Sequence, residues 1–145
     1  MRLIFITLLF NFSLFGAGFW TLTGSDKLHV YVQNNISEIN PKTVTSIKEK
    51  MQSTLSKLSV KTDGVDGGTM MVKLNSIKGS DYFYVTIKLA VGEEVMTHRK
   101  GDIETFALTF DSDDFIETDE LDADVLESID FLLSEYAEQF EDDRE

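Results

Sequence analysis

Three groups of side chains in this sequence are of types that do chemistry. Glu93 and Glu94 are adjacent carboxylates, and two carboxyl groups flanking a bond can hydrolyse a glycoside if one is kept protonated. Such a proton is kept by an apolar pocket, and loop acids in water have none. The runs Asp111-Ser112-Asp113-Asp114 and Asp119-Glu120-Leu121-Asp122-Ala123-Asp124 offer oxygen ligands of the kind calcium takes. An EF-hand counted from Asp111 would need an oxygen ligand at the fifth position and glycine at the sixth. Phe115 and Ile116 stand there, so that motif fails. Asp111, Asp113, Asp114 and Asp119 remain as candidates for weak divalent-cation binding. The third group is the pair of histidines, His29 and His98. Neither accompanies a Gly-x-Ser-x-Gly elbow or a His-Glu-x-x-His helix, and there is no P-loop and no dinucleotide fingerprint.

The absence of cysteine excludes a thiol nucleophile, a Cys-ligated zinc site and a disulfide scaffold. No cofactor is expected, and the chain reads as a non-enzyme. A net charge of -13 opposes general binding to nucleic acid, because phosphate is repelled. That charge is unevenly placed. Residues 102–145 hold one base, Arg144, against 18 acids, whereas the preceding residues are net positive by four. Lysines on a first helix and acids on a last helix would attract one another if the two lay side by side.

The elements that must position these groups follow from periodicity. Residues 1–18 carry Arg2, a mostly apolar run from Leu3 to Phe15, and Gly16-Ala17-Gly18. This is the layout of a secretory signal peptide cleaved after Gly18. Extended to Leu22, the same run reaches the minimum length of a membrane anchor, so attachment through an uncleaved N-terminal segment is the alternative. The expected compartment is the bacterial periplasm or cell surface. The triplet Asn35-Ile36-Ser37 would also suit a glycosylated eukaryotic protein. Residues 19–145 are long enough for a single domain without disulfides, with an acidic C-terminal helix and tail.

Residues 27–34 alternate as a strand, with Leu28, Val30 and Val32 on one side. Asn40-Pro41 then opens a helix with a cap and a first-turn proline, and Val44, Ile47, Met51, Leu55 and Leu58 form its apolar stripe. The glycines of Asp63-Gly64-Val65-Asp66-Gly67-Gly68 precede a strand rather than a helix, so they read as turn residues and not as a phosphate cradle. Strands are expected over residues 69–77, 82–91 and 103–110. In the last, Phe106, Leu108 and Phe110 are taken as inward and Thr105, Ala107 and Thr109 as opposite. His98-Arg99-Lys100 lies near a hairpin end closed by Gly101. A second helix over 121–140 carries Leu121, Val125, Ile129, Leu132, Leu133, Tyr136 and Phe140.

Two amphipathic helices and four one-sided strands pack most economically as an α+β two-layer sandwich. Its order is β-α-β-β-β-α, with both helices on one face of an antiparallel-rich four-stranded sheet. The reverse face is then left open. Its residues include Tyr31, Lys73, Tyr82, Tyr84 and Lys88, with no acid among those assigned to it. Tyrosine supplies large contact area and a polar tip at low entropy cost, which suits partner contact. The same types are also ordinary solvent-facing strand residues. The expected function is a non-catalytic interaction module that docks another envelope protein, or a second copy of itself, through this face. A small-ligand or divalent-cation binding protein is the alternative, and a hydrolase with paired carboxylates stands behind it.

The layout resembles small exported bacterial α/β proteins of unknown function. The residues that carry the resemblance are Val95 to Arg99, Thr105-Phe106-Ala107-Leu108-Thr109-Phe110, and Val125, Ile129, Leu132 and Phe140 of the last helix. The resemblance implies no catalytic residue and no ligand.

Overall fold

The structure, a computed structural model, describes residues 21–63 and 67–144. The leader expected at residues 1–18 lies outside the described residues, as do Gly64-Val65-Asp66 of the glycine loop. Six elements follow one another: β1 (Leu28–Asn34), α1 (Pro41–Lys57), β2 (Gly68–Lys78), β3 (Phe83–Met96), β4 (Glu104–Thr118) and α2 (Leu121–Asp142). This is the α+β fold in the order expected. The strands lie in chain order across one mixed sheet. β1 runs parallel to β2, and the other two pairings are antiparallel. The parallel pair follows from α1, which carries the chain back so that β2 starts at the same end as β1.

The Asn40 side chain accepts a hydrogen bond from the Lys42 N–H at 2.9 Å, and Pro41 opens the first turn of α1, where a missing N–H costs nothing. At the other end, Ser59 adopts a φ of 62° and the Val60 N–H bonds back to the Leu55 carbonyl at 2.9 Å. This is a left-handed helix stop made by serine where glycine is more usual. Ile47, Met51 and Leu55 of α1 and Val125, Ile129, Leu132, Tyr136 and Phe140 of α2 are buried. They share one core with Met70, Val72 and Leu74 of β2 and Val85, Ile87, Leu89 and Val91 of β3. Lys50 of α1 is 2.7 Å from Asp130 of α2, which realises the expected attraction between the two helices. Asp122 adds a second tie by accepting from the Asn40 N–H at 3.0 Å and from the Thr43 hydroxyl. No helix among the described residues is long and apolar enough to cross a membrane.

Three expectations are corrected in and around the fourth strand. β4 does not end at Phe110 but continues to Thr118, so the acidic run 111–114 is strand and not loop. Ser112 and Asp114 fall on the helix-covered side, and α2 satisfies them there. The Ser112 hydroxyl donates to Glu135 at 2.6 Å, and the Ser128 hydroxyl donates to Asp114 at 2.7 Å. The second correction concerns Phe106 and Leu108. Val91 pairs with Phe110 while Gly92 pairs with Leu108, so Thr109 is an extra residue on β4. Such a bulge exchanges the two faces of a strand. Phe106 and Leu108 therefore point away from the core and are 63% and 42% exposed. The third correction concerns charge. Asp111, Asp113 and Glu117 share the open face with Lys88, so that face is not free of acids.

Candidate functional site

The open face is built from alternate residues of the four strands, and the register fixes its rows. His29, Thr69, Gly92 and Leu108 form one row, and Tyr31, Met71, Ala90 and Asp111 the next. Gln33, Lys73, Lys88 and Asp113 follow, then Asn75, Thr86 and Phe115, then Ile77, Tyr84 and Glu117. Tyr31, Lys73, Tyr84 and Lys88 therefore lie on one surface, as their alternation requires. Tyr82 is different: it sits in the turn between β2 and β3, exposed, with its carbonyl accepting from the Gly79 N–H at 2.8 Å.

A charged belt crosses the middle of this surface, with apolar groups at both ends. In the belt, Lys88 Nζ is 2.8 Å from Asp111, an ion pair in which both partners keep contact with water. Such a pair contributes roughly 0–1 kcal/mol and serves mainly to set the polarity of the belt. At one end, Tyr84 and Phe115 stack with ring centroids 6.4 Å apart and planes 11° apart. Ile77, beside Tyr84, is 74% exposed. At the other end the Phe106 ring covers Gly92. A Cβ on Gly92 would lie 2.2 Å from the ring, so the aromatic occupies the space that a side chain would fill. Leu108 and Met96 continue this end and are exposed.

The sequence reading missed Ile77, Met96, Phe106, Leu108 and Phe115 as surface residues. Ile77 was legible, because it has the parity of Met71, Lys73 and Asn75. Met96 lay beyond the expected end of its strand. Phe106 and Leu108 were hidden by the bulge, and Phe115 by the shortened β4.

The carboxylates separate in the structure. Glu93 and Glu94 are neighbours on β3, so strand alternation turns them to opposite faces and they do not oppose one another across a bond. Glu93 accepts from the Ser25 and Thr109 hydroxyls, each at 2.9 Å, at the margin of a cleft of about 460 Å³ lined also by Thr23, Asp26 and Gly68. Burial first, and the Glu93 charge second, push the Tyr136 phenol well above its ordinary range, and Arg144 partly opposes them. The Tyr136 hydroxyl has no hydrogen-bond partner among the described residues. On the opposite margin of the domain, the Glu38 carboxyl is held below its usual range by the Ser37 hydroxyl, then by its own backbone and by Lys78.

The four cation candidates are likewise divided. Asp111 and Asp113 lie on the open face, Asp114 on the helix side, and Asp119 in the turn between β4 and α2. Among the described residues, no three acidic or histidine side chains come together in a way that would hold a metal ion. The His98-Arg99-Lys100 turn is exposed and closes through Gly101, at a φ of 101°, and Asp102, at 43°. The chain matches no family model and no curated protein.

Proposed function

We propose that this protein is an exported, non-catalytic interaction module that docks another envelope protein, or a second copy of itself, through the open face of its sheet. One observation carries the reading. Seven large apolar strand residues are exposed, namely Tyr31, Ile77, Tyr84, Met96, Phe106, Leu108 and Phe115, and the register puts all seven on that one face. The charged belt divides them into two apolar clusters, and exposed apolar clusters rimmed by polar residues generally mark contact sites. Aromatic anchors beside charged pairs are also the composition that interfaces favour. The sheet is wide enough for the purpose. Four strands about 4.8 Å apart, and about ten residues long at 3.3 Å each, present on the order of 600 Å². That is the lower end of the roughly 600–1,000 Å² that a standard interface takes from each partner. Export is read from the composition of residues 1–18.

The test uses the immobilised protein and envelope extract, with sedimentation of the protein alone to detect self-association. Replacing Phe106 and Phe115 together by serine should weaken capture, or dimerisation, at least tenfold. Lys48→Glu, on the outer side of α1, should change neither. Association that survives the double replacement, or a monomer that captures nothing, would refute the reading.

A further inference from the structure

β4 is the outermost strand on its side of the sheet, and it is 15 residues long. Among the described residues no other strand pairs with its outer edge, which leaves a row of backbone N–H and C=O groups available along it. The opposite edge, β1, has only 7 residues. Long free edges are templates for strand addition, and proteins usually shorten or cover them. From Phe110 to Glu117, β4 is instead flanked by α2, with two clefts of about 300 and 370 Å³ between helix and strand.

The side chains along this edge decide what can pair with it. β4 carries Glu104, Asp111, Asp113, Asp114 and Glu117 and no base. No lysine or arginine lines either cleft. Glu117, Glu127, Glu138 and Asp142 border the clefts without an ion-pair partner among the described residues. Antiparallel pairing of two copies centred on any residue from 111 to 115 would set an acid opposite an acid, and like charges directly opposed are destabilising. A second copy is thus disfavoured in those registers, and the surplus of acids along the edge opposes the others. Apolar anchors are present on both flanks, with Phe115 64% exposed on the open side and Phe131 51% exposed on α2.

We propose that the free edge of β4 takes an extended, lysine- or arginine-bearing segment of another protein as a fifth strand. Its backbone pairs with β4. Its basic side chains on one side lie against Glu127 and Glu138 of α2, and its apolar side chains on the other lie beside Phe115. Backbone pairing supplies the binding, and the acids select the sign of the guest. This surface meets the docking face proposed above at Phe115, but the charges that define it are on the helix layer.

The probe is a fluorescent ten-residue peptide of alternating lysine and valine, titrated into the whole protein. It should bind, and the glutamate–valine counterpart should not. Glu127→Lys with Glu138→Lys should weaken binding at least tenfold. Both residues are exposed and without an ion-pair partner among the described residues, so the fold should be retained by circular dichroism. Two further peptides, N-methylated on all lysines or on all valines, separate strand pairing from simple charge attraction. At least one of them must lose binding tenfold, and β4 amides must exchange more slowly in the complex with the parent peptide. Failure of the lysine–valine peptide to bind would overturn the proposal. So would equal binding by both methylated forms, or protection confined to β1. None of these variants alters Phe106 or any other residue of the open face, so the two proposals fail separately.

Discussion

The two faces of the sheet are made from alternate residues of the same strands, and they differ in what a side chain meets there. Leu89 and Ile87 of β3 are wholly buried under the helices, while their neighbours Lys88 and Thr86 face outward. On the covered face the polar residues Ser112 and Asp114 find partners in α2. On the reverse face, large apolar groups stay in water although the chain has many acids with which to cover them. The covered face builds the core. The reverse face keeps groups in water that the core does not use, as the proposed docking role would require.

The comparison fails if truncations on the two faces cost the same, and the largest expected effect lies on the covered one. Leu89→Ala should lose about 2–5 kcal/mol, measured by urea unfolding, because it leaves a cavity under both helices. Gly68→Ala is next. A Cβ there would lie 2.4 Å from Glu93 Cγ and 2.9 Å from both the Gly92 carbonyl and Leu28, so overpacking should cost about 1–3 kcal/mol in the same assay.

Tyr136→Phe removes a buried hydroxyl that has no partner among the described residues, and should raise stability by roughly 1 kcal/mol at neutral pH. The sign of its pH dependence follows from the raised phenol. A folded-state value above the unfolded one gives stability that is fully present below the ordinary tyrosine value of about 10, and that is lost as pH rises towards the folded one. The wild type should therefore weaken above about pH 10, and the phenylalanine variant should weaken less. Parallel alkaline unfolding curves would contradict the assignment. The smallest effect is expected on the reverse face. Phe106→Ser and Phe115→Ser should each change stability by no more than about 0.5 kcal/mol while reducing association. Losses as large as that of Leu89→Ala would show that these rings serve the fold.

Much of the covered face was legible, because its signals are local. The Asn40-Pro41 start, the stripes of α1 and α2, and the alternation of β3 each follow from a few consecutive residues. The continuation of β4 was not legible. Its helix-side positions hold Ser112 and Asp114, and polar residues at core-facing sites carry no strand signal until α2 is known to supply Glu135 and Ser128. The bulge at Thr109 was hidden for a related reason: it is a property of the pairing between β3 and β4, and no period in β4 alone reveals it. The candidate site was accordingly half read. Tyr31, Lys73, Tyr84 and Lys88 were found on strands with clean alternation. Phe106, Leu108 and Phe115 were missed where the strand broke its period or hid it among acids.

The docking claim is tested most directly by hydroxyl-radical footprinting of the protein, free and with its captured partner or as a self-associated species. Phe131 on α2 reports instead on the β4 edge, since it is exposed but lies on the helix layer. The account predicts that oxidation of Tyr84, Phe106 and Phe115 falls on association while that of Phe131 is unchanged. Shielding of Phe131 with Tyr84, Phe106 and Phe115 as reactive as before would contradict it.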